Sequence, residues 1–306
     1  MILIDGIINI YKERGYTSHD VVAKMRGILK IKKIGHTGTL DPEAEGVLPV
    51  CIGKATKVVD LIVDKDKTYE AVMKLGIVTD TQDMTGNILK EAPVYVDLQQ
   101  IKNAAEKFIG GYDQIPPMYS AVKVNGKKLY ELARQGKEIE RTPRRVMIHN
   151  IEILNYNPEE HEIRLRVDCG KGTYIRTLLH DIGEVLGCGG VMKTLLRTRV
   201  GNFDISGSLY LSEVEEYVRS GTIGGHIVSV DEIFSSYPKA VMNRKYDKLI
   251  YNGNSFFKKN LDFLSEQERT SDEGALVRVY DSGGVFVGIY RYDADLNKFI
   301  PYKMFL

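Results

Sequence analysis

Hydrophobic and polar positions change period from one segment of this chain to the next. Over Thr17 to Lys30, Val21, Val22, Met25, Ile28 and Leu29 fall on one face of a helix, and Thr17 with Asp20 forms a capping-box signature at its start. Asp97 to Ile109 is a second helix, with Asp97 as cap, Gln100 three residues on and Ile101, Ala104, Ala105 and Phe108 on one face. Gly110-Gly111 is its stop. Elsewhere the period is two. Ile163, Leu165, Val167 and Cys169 alternate with Arg164, Arg166 and Asp168, the pattern of a strand with one buried face; Tyr69 to Leu75 and Val146 to Leu154 are strands as well. Strands and helices are mixed without a strict βαβ rhythm, which predicts an α+β fold: a mixed, largely antiparallel sheet flanked by helices. No repeat of fixed period and no low-complexity tract is present, which disfavours solenoids and propellers.

An acidic helix opens at Ser212, and a boundary is expected near Tyr237-Pro238. Beyond it, Ala275 to Tyr280 and Val285 to Tyr290 flank Asp281-Ser282-Gly283-Gly284, a hairpin signal. The expected organisation is therefore residues 1–237, then a small β-rich unit over 238–306 whose independent folding is marginal at its size.

Composition narrows the class. The chain has 306 residues, 43% hydrophobic and 27% charged, close to globular averages and unlike a disordered or collagen-like chain. No apolar run reaches the roughly 18 residues a bilayer span requires, and Met1-Ile2-Leu3-Ile4-Asp5 lacks a basic start and a cleavage site, so a soluble, cytoplasmic protein is expected. Cys51, Cys169 and Cys188 are too scattered for a disulfide framework or a zinc site, and no metal is implied.

The formal net charge is only +1, yet its distribution is uneven. Val21 to Leu40 carries Lys24, Arg26, Lys30, Lys32 and Lys33 with no acid, and residues 121–149 carry eight basic against three acidic side chains. Residues 202–239 sum to −4 and residues 260–306 to −3. Such segregation suits a surface that neutralises phosphates, or a solvated basic face balanced elsewhere.

The densest cluster of special residues is Gly35-His36-Thr37-Gly38-Thr39-Leu40-Asp41-Pro42. Its glycines allow tight turns, and Pro42 pushes Asp41 out of helical geometry, so Asp41 is expected on a loop. A carboxylate so presented is a nucleophile, a base or a turn-forming cap. Gly53-Lys54-Ala55-Thr56 is not a phosphate loop, because Leu48 stands where the first glycine is required and Ala55 follows the lysine.

Gly35 to Val50, GHTGTLDPEAEGVLPV, resembles the signature of the bacterial tRNA pseudouridine-55 synthases, the TruB family. Four further stretches match in the same order: Lys67-Thr68-Tyr69 with Leu75-Gly76 and Thr79 to Asp83; Ile115 to Arg134; Lys171 to Leu178; and Leu195 to Phe203. The likeness covers roughly residues 3–205, and the tail is similar to the PUA-type RNA-binding domain often appended to the family. One departure is Lys12-Glu13-Arg14-Gly15-Tyr16-Thr17-Ser18, where the family usually has Lys-Pro before Gly-x-Thr-Ser.

The resemblance implies the pseudouridine synthase fold and isomerisation of uridine 55 in the TΨC loop of tRNA. Nothing is oxidised and no atoms are lost in that reaction, so no cofactor is expected. It implies that Asp41 is the catalytic carboxylate, as a nucleophile or as the base of an elimination route. A carboxylate covered by a flipped base loses water and needs a cation to stay ionised, and Arg176 is assigned that role. An extended Tyr174 to Arg176 would aim both side chains to one face, so that Tyr174 packs on the nucleoside. Tyr69 is expected to stack on the uracil and to assist loss of the C5 proton. His36 is expected on the RNA side of the loop and Leu195 against the flipped nucleotide. Lys12, Lys127, Lys128, Arg134 and Arg141 are expected to contact RNA, most of them within an insertion over about residues 115–145 that closes on the substrate. The tRNA T-arm is the implied partner, with no membrane, no obligate protein partner and a monomeric state.

Overall fold

The computed structural model describes residues 5–124, 126–265 and 272–306. Met1 to Ile4, Asn125 within the insertion and part of the acidic tail, residues 266–271, lie outside the described residues.

The chain opens with β1 (Gly6–Lys12), α1 (Ser18–Leu29), β2 (Ile34–His36), β3 (Glu45–Ile52), α2 (Val59–Val63) and β4 (Lys67–Leu75). The hairpin of β5 (Ile77–Thr79) and β6 (Ile88–Glu91) leads to α3 (Leu98–Glu106) and β7 (Gly110–Gln114). The insertion carries β8 (Lys123–Val124), β9 (Lys127–Lys128) and α4 (Leu129–Ala133); β10 (Arg144–Asn157), β11 (Glu162–Cys169), α5 (Ile175–Leu186), β12 (Gly190–Val200), β13 (Phe203–Asp204) and α6 (Leu211–Ser220) follow. The main sheet runs β1-β3-β12-β4-β11-β10-β7, with β2 and β13 attached at β3 and β12. Its pairings are antiparallel except that β3 and β12 run parallel, so the expected mixed, largely antiparallel sheet is what forms.

The helices follow their caps. Thr17 and Asp20 form a complete capping box for α1, and Lys30 closes it in the left-handed region. Asp97 and Gln100 do the same for α3. That helix ends at Glu106 with Lys107 as its C-cap, ahead of the expected Ile109, and Gly110-Gly111, read as its stop, opens β7 instead. The inward residues of β4, β10, β11 and β12 pack with α3 and α5 into one core that includes Tyr69, Ile101, Ile163, Leu165, Leu178 and Leu195. Strand β3 is buried on both faces: Leu48, Val50 and Ile52 meet α1 and α6, while Val47 and Cys51 face a separate cluster. That burial explains its unbroken apolar run.

The tail forms a second sheet, β15-β14-β16-β17-β18, from β14 (Lys239–Met242), β15 (Leu261–Leu264), β16 (Leu276–Tyr280), β17 (Phe286–Asp293) and β18 (Lys298–Met304), with the short helix α7 (Asp247–Tyr251) beside it. This is the β-rich, PUA-like unit expected from the sequence. Ala240, Met242, Ile250, Phe256, Val279, Tyr290 and Phe299 give it a core of its own, and a second cluster ties it to the first sheet. Ile289 and Phe305 join Ile7, Val47 and Cys51 of the first sheet, and Val58 in the helical turn after β3, in one cluster, and the Lys57 ammonium donates to the Met304 and Leu306 carbonyls at 3.1 Å each.

Candidate active site

Asp41 lies on the loop between β2 and β3, as expected, and the loop is pinned on both sides of it. The Leu40 amide donates to the Ser18 hydroxyl at 2.9 Å. On the other side the Pro42 carbonyl accepts from the Gly15 amide at 2.9 Å and from the Lys12 ammonium at 3.1 Å. The segment that departs from the family pattern therefore still braces this loop through its backbone and through Lys12. Beyond the loop, Gly46 has φ +104°, and a Cβ there would stand 2.2 Å from the Arg197 carbonyl. Only glycine lets β3 come beside β12 at this point.

Lys12 corrects the sequence expectation. It is fully buried, and its ammonium donates to the carbonyls of Glu13, Tyr16 and Pro42. Burial pulls it down to about 8. A lysine whose three protons are spent on carbonyls under a loop does not contact RNA phosphates.

Arg176 is the partner of Asp41. Its guanidinium is 4% exposed and meets the carboxylate through both forks, Nε to Oδ2 at 2.8 Å and Nη2 to Oδ1 at 3.2 Å. Two more bonds fix its plane, from Nη1 to the Thr81 carbonyl at 2.9 Å and from Nη2 to the Tyr119 carbonyl at 2.8 Å. A planar fork satisfied on all sides holds the acid in one orientation, which a point charge does not. Asp41 is the open member of the pair, its side chain 36% exposed.

The expected extended run from Tyr174 to Arg176 does not form. Tyr174 is the N-cap of α5, with φ −98° and ψ 108°, and Arg176 sits in the helix's first turn. The reason lies downstream: Ile175, Leu178, Leu179 and Ile182 recur at helical spacing and are all buried, and that apolar face outweighs the strand reading of three residues.

Tyr69 is buried on β4 in the same core as Leu40, Ala44, Ile175 and Leu195. Burial raises its phenol above the ordinary tyrosine range, and the Arg197 charge opposes that rise. Leu195 is buried on β12 opposite Ala71, two positions along from the Arg197–Tyr69 pair. Tyr174 is half-buried, and its phenol too is raised by burial. His36 ends β2 at the root of the loop, edge to face with His19 at 5.4 Å between ring centres. Burial lowers it to about 4, with the charges of His19 and Arg197 adding to the shift.

Within the insertion, Lys127 and Arg134 are exposed and Lys128 is half-buried. Lys128 and Arg134 both lie over the Tyr130 ring at 5.4 Å. Arg141 is only partly exposed and holds the base of the insertion, donating from Nη1 to the Pro116 carbonyl at 3.2 Å. Asp41 and Arg176 are thus bonded to each other, Tyr69 and Leu195 share a core with Leu40 and Ile175 beside them, and Tyr174 stands two residues before Arg176, whereas His36 is placed at the root of the loop, against His19.

Sequence reasoning missed three side chains that shape this region. Arg197 is 1% exposed and donates to the carbonyls of Val47 at 2.7 Å and Gly38 at 3.2 Å, tying β3 to the glycine of the Asp41 loop. Its signal was available: an arginine two residues from Leu195 shares that leucine's inward face. Asp83 stands 4.0 Å from Arg176, its carboxylate already engaged by the Thr81 hydroxyl at 2.7 Å and the Thr85 amide at 2.9 Å. Gln114, at the end of β7, carries no signal in the sequence. Among the described residues, no group of His, Cys, Asp and Glu side chains is arranged to hold a metal ion.

The TruB family pseudouridylate synthase N-terminal domain matches residues 26–175, and the tRNA pseudouridylate synthase B C-terminal domain matches residues 176–234. The chain belongs to the TruB family of pseudouridylate synthases. It is 55% identical, over 99% of its length and 100% of the relative's, to the tRNA pseudouridine synthase B of Lachnoclostridium phytofermentans. The protein of the same name from Clostridium perfringens strain SM101 is 44% identical, with 95% and 96% of the two chains covered. Among solved structures, a chain of an H/ACA RNP bound to a substrate RNA containing 2'-deoxyuridine superposes with a TM-score of 0.72 at 25% identity, over 98% of this chain and 85% of that one. This TruB-family chain is thus an isomerase with the pseudouridine synthase fold, and the Asp41–Arg176 pair lies within its family-matched residues.

Proposed function

We propose that this enzyme converts uridine to pseudouridine at position 55 in the TΨC loop of tRNA, with Asp41 as the catalytic carboxylate acting on a flipped-out nucleotide. The observation that carries the reading is the forked pair between Asp41 and the buried Arg176. Relatives named tRNA pseudouridine synthase B that align along nearly the whole chain support tRNA as the substrate.

The chemistry is an isomerisation. The bond from N1 to C1′ breaks, the uracil turns, C1′ bonds to C5, the C5 proton leaves and N1 gains a proton. Asp41 serves either as the nucleophile that holds C1′ while the base turns, or as the base that opens an elimination route. In both, the Arg176 fork keeps the carboxylate aimed while the nucleoside excludes water. Tyr69 packs on the uracil and assists removal of the C5 proton; Tyr174 and Leu195 bound the nucleoside; and His36 faces the RNA. Extruding the base costs a few kcal/mol, which contacts elsewhere on the RNA must offset.

The insertion over residues 115–145 is suited to supply them. Lys123 and Lys128 stand directly opposite each other in the β8–β9 hairpin, an arrangement that repels unless an anion lies across it. Lys127, Lys128, Arg134 and Arg141 are the proposed RNA contacts, and residues 238–306 form a further RNA-binding unit. The enzyme acts on the T-arm as a monomer without an obligate protein partner, in the cytoplasm.

Transcript tRNA labelled with tritium at uracil C5 tests the reading. The wild type should release label with the RNA chain intact, and Asp41→Ala should not. Free uracil and an abasic site would indicate an N-glycosidase, no release a binding module, and full release by Asp41→Ala would overturn the assignment of the carboxylate.

A further inference from the structure

Helix α5 delivers Arg176 to the site but lacks the usual means of fixing its own start: its N-cap is Tyr174, and no side chain of the cap residue bonds back to the helix. A tyrosine cannot cap as Ser, Thr, Asp or Asn does. The missing restraint comes from another strand. Gln114, 1% exposed, ends β7 and sets its side-chain amide against the Tyr174 backbone as a neighbouring peptide would. Its Oε1 accepts from the Tyr174 amide at 2.8 Å, and its Nε2 donates to the Tyr174 carbonyl at 3.0 Å. The same Nε2 donates to the Tyr112 hydroxyl, which orients the amide so that its oxygen faces the tyrosine N–H. The Tyr174 carbonyl also receives the first intrahelical bond of α5, from the Leu178 amide at 3.0 Å.

Gln114 therefore holds both backbone groups of a residue that borders the nucleoside site, two positions ahead of the guanidinium that orients Asp41. The next residues along the chain lead out into the insertion, and the Tyr119 carbonyl returns to accept from Arg176 at 2.8 Å. The start of the insertion and the start of α5 are thus fastened together at the Gln114 amide and at the Tyr119 carbonyl. We infer that Gln114 is a positioning residue for the isomerisation, fixing Tyr174 and Arg176 relative to Asp41 without touching the substrate. The inference rests on the function proposed above. A displacement of about 1 Å at a reacting group is enough to cost on the order of 100-fold in rate.

Gln114→Met keeps the length and removes both bonds to Tyr174. The single-turnover rate of tritium release should fall roughly 10- to 100-fold. The affinity for unmodified tRNA, read by filter binding, should stay within about threefold, because the phosphate contacts lie elsewhere. Gln114→Glu supplies a control. Ionised, it keeps an acceptor for the Tyr174 amide but sets a negative oxygen against the Tyr174 carbonyl; protonated, it regains a donor there. Its rate relative to wild type should therefore rise as the pH is lowered, whereas that of Gln114→Met should stay flat. A folded Gln114→Met protein with wild-type rate would overturn the inference. So would parallel losses of rate, tRNA affinity and melting temperature, which would make Gln114 a general element of the fold. Asp41→Ala assayed alongside separates the two claims: if it releases tritium, the site reading fails; if it is inactive while Gln114→Met is unaffected, only the role of Gln114 fails.

Discussion

Arg176→Lys keeps the positive charge beside Asp41 and removes the fork, so it separates charge from geometry. The guanidinium makes four hydrogen bonds, two to Asp41 and one each to the Thr81 and Tyr119 carbonyls. A lysine ammonium is a single nitrogen and does not reach acceptors spread around a planar group; one contact to the carboxylate and one to a carbonyl are what it keeps. Two charge-assisted bonds are lost, at about 1.5–3 kcal/mol each. If roughly half of that total is spent on aligning Asp41 and half on holding the fold, alignment loses about 1.5–3 kcal/mol, or about 10- to 100-fold in rate. The assay is single-turnover tritium release with enzyme in excess, beside a thermal melt that should also drop. Arg176→Met removes the charge as well and should be slower still. A lysine variant within twofold of wild type, with the methionine variant inactive, would refute the reasoning: charge alone would then orient the acid.

Other perturbations probe the surroundings. Burial lowers His36 to about 4 from the ordinary 6.5 of a free histidine, so the unfolded chain binds a proton there before the folded one does. Its contribution to stability is complete above about 6.5 and is lost as the pH falls toward about 4. Urea midpoints measured across that window should fall less steeply for His36→Asn than for the wild type, and identical slopes would contradict the shift. Lys12→Met should leave the salt dependence of tRNA affinity unchanged while lowering the melting temperature, because it strands the carbonyls of Glu13, Tyr16 and Pro42. Lys127→Ala should do the reverse, reducing the slope of log affinity against log salt by roughly one unit. The opposite pattern would put Lys12 back on the RNA.

Much of this protein was legible in the order of its residues because it is local. The caps Thr17/Asp20 and Asp97/Gln100, the alternation along Ile163 to Cys169, and the loop that Pro42 forces on Asp41 each depend on neighbours a few positions away, and they form as read. Where local reading went wrong, a longer-range term had prevailed. Tyr174 to Arg176 gave up a strand because the apolar face further along α5 needed burial against β4 and β12. Lys12 looked like a surface cation until the Asp41 loop folded over it and the Pro42 carbonyl joined those of Glu13 and Tyr16 around the ammonium. The inward placement of Arg197 could be read from its spacing to Leu195, but the backbone partners of Gln114 and Arg197 could not, since they lie 60 and up to 159 positions away. A carbonyl or an amide carries no side-chain identity to be read in a sequence, so which of them a buried polar group will meet is decided only when the strands and helices pack.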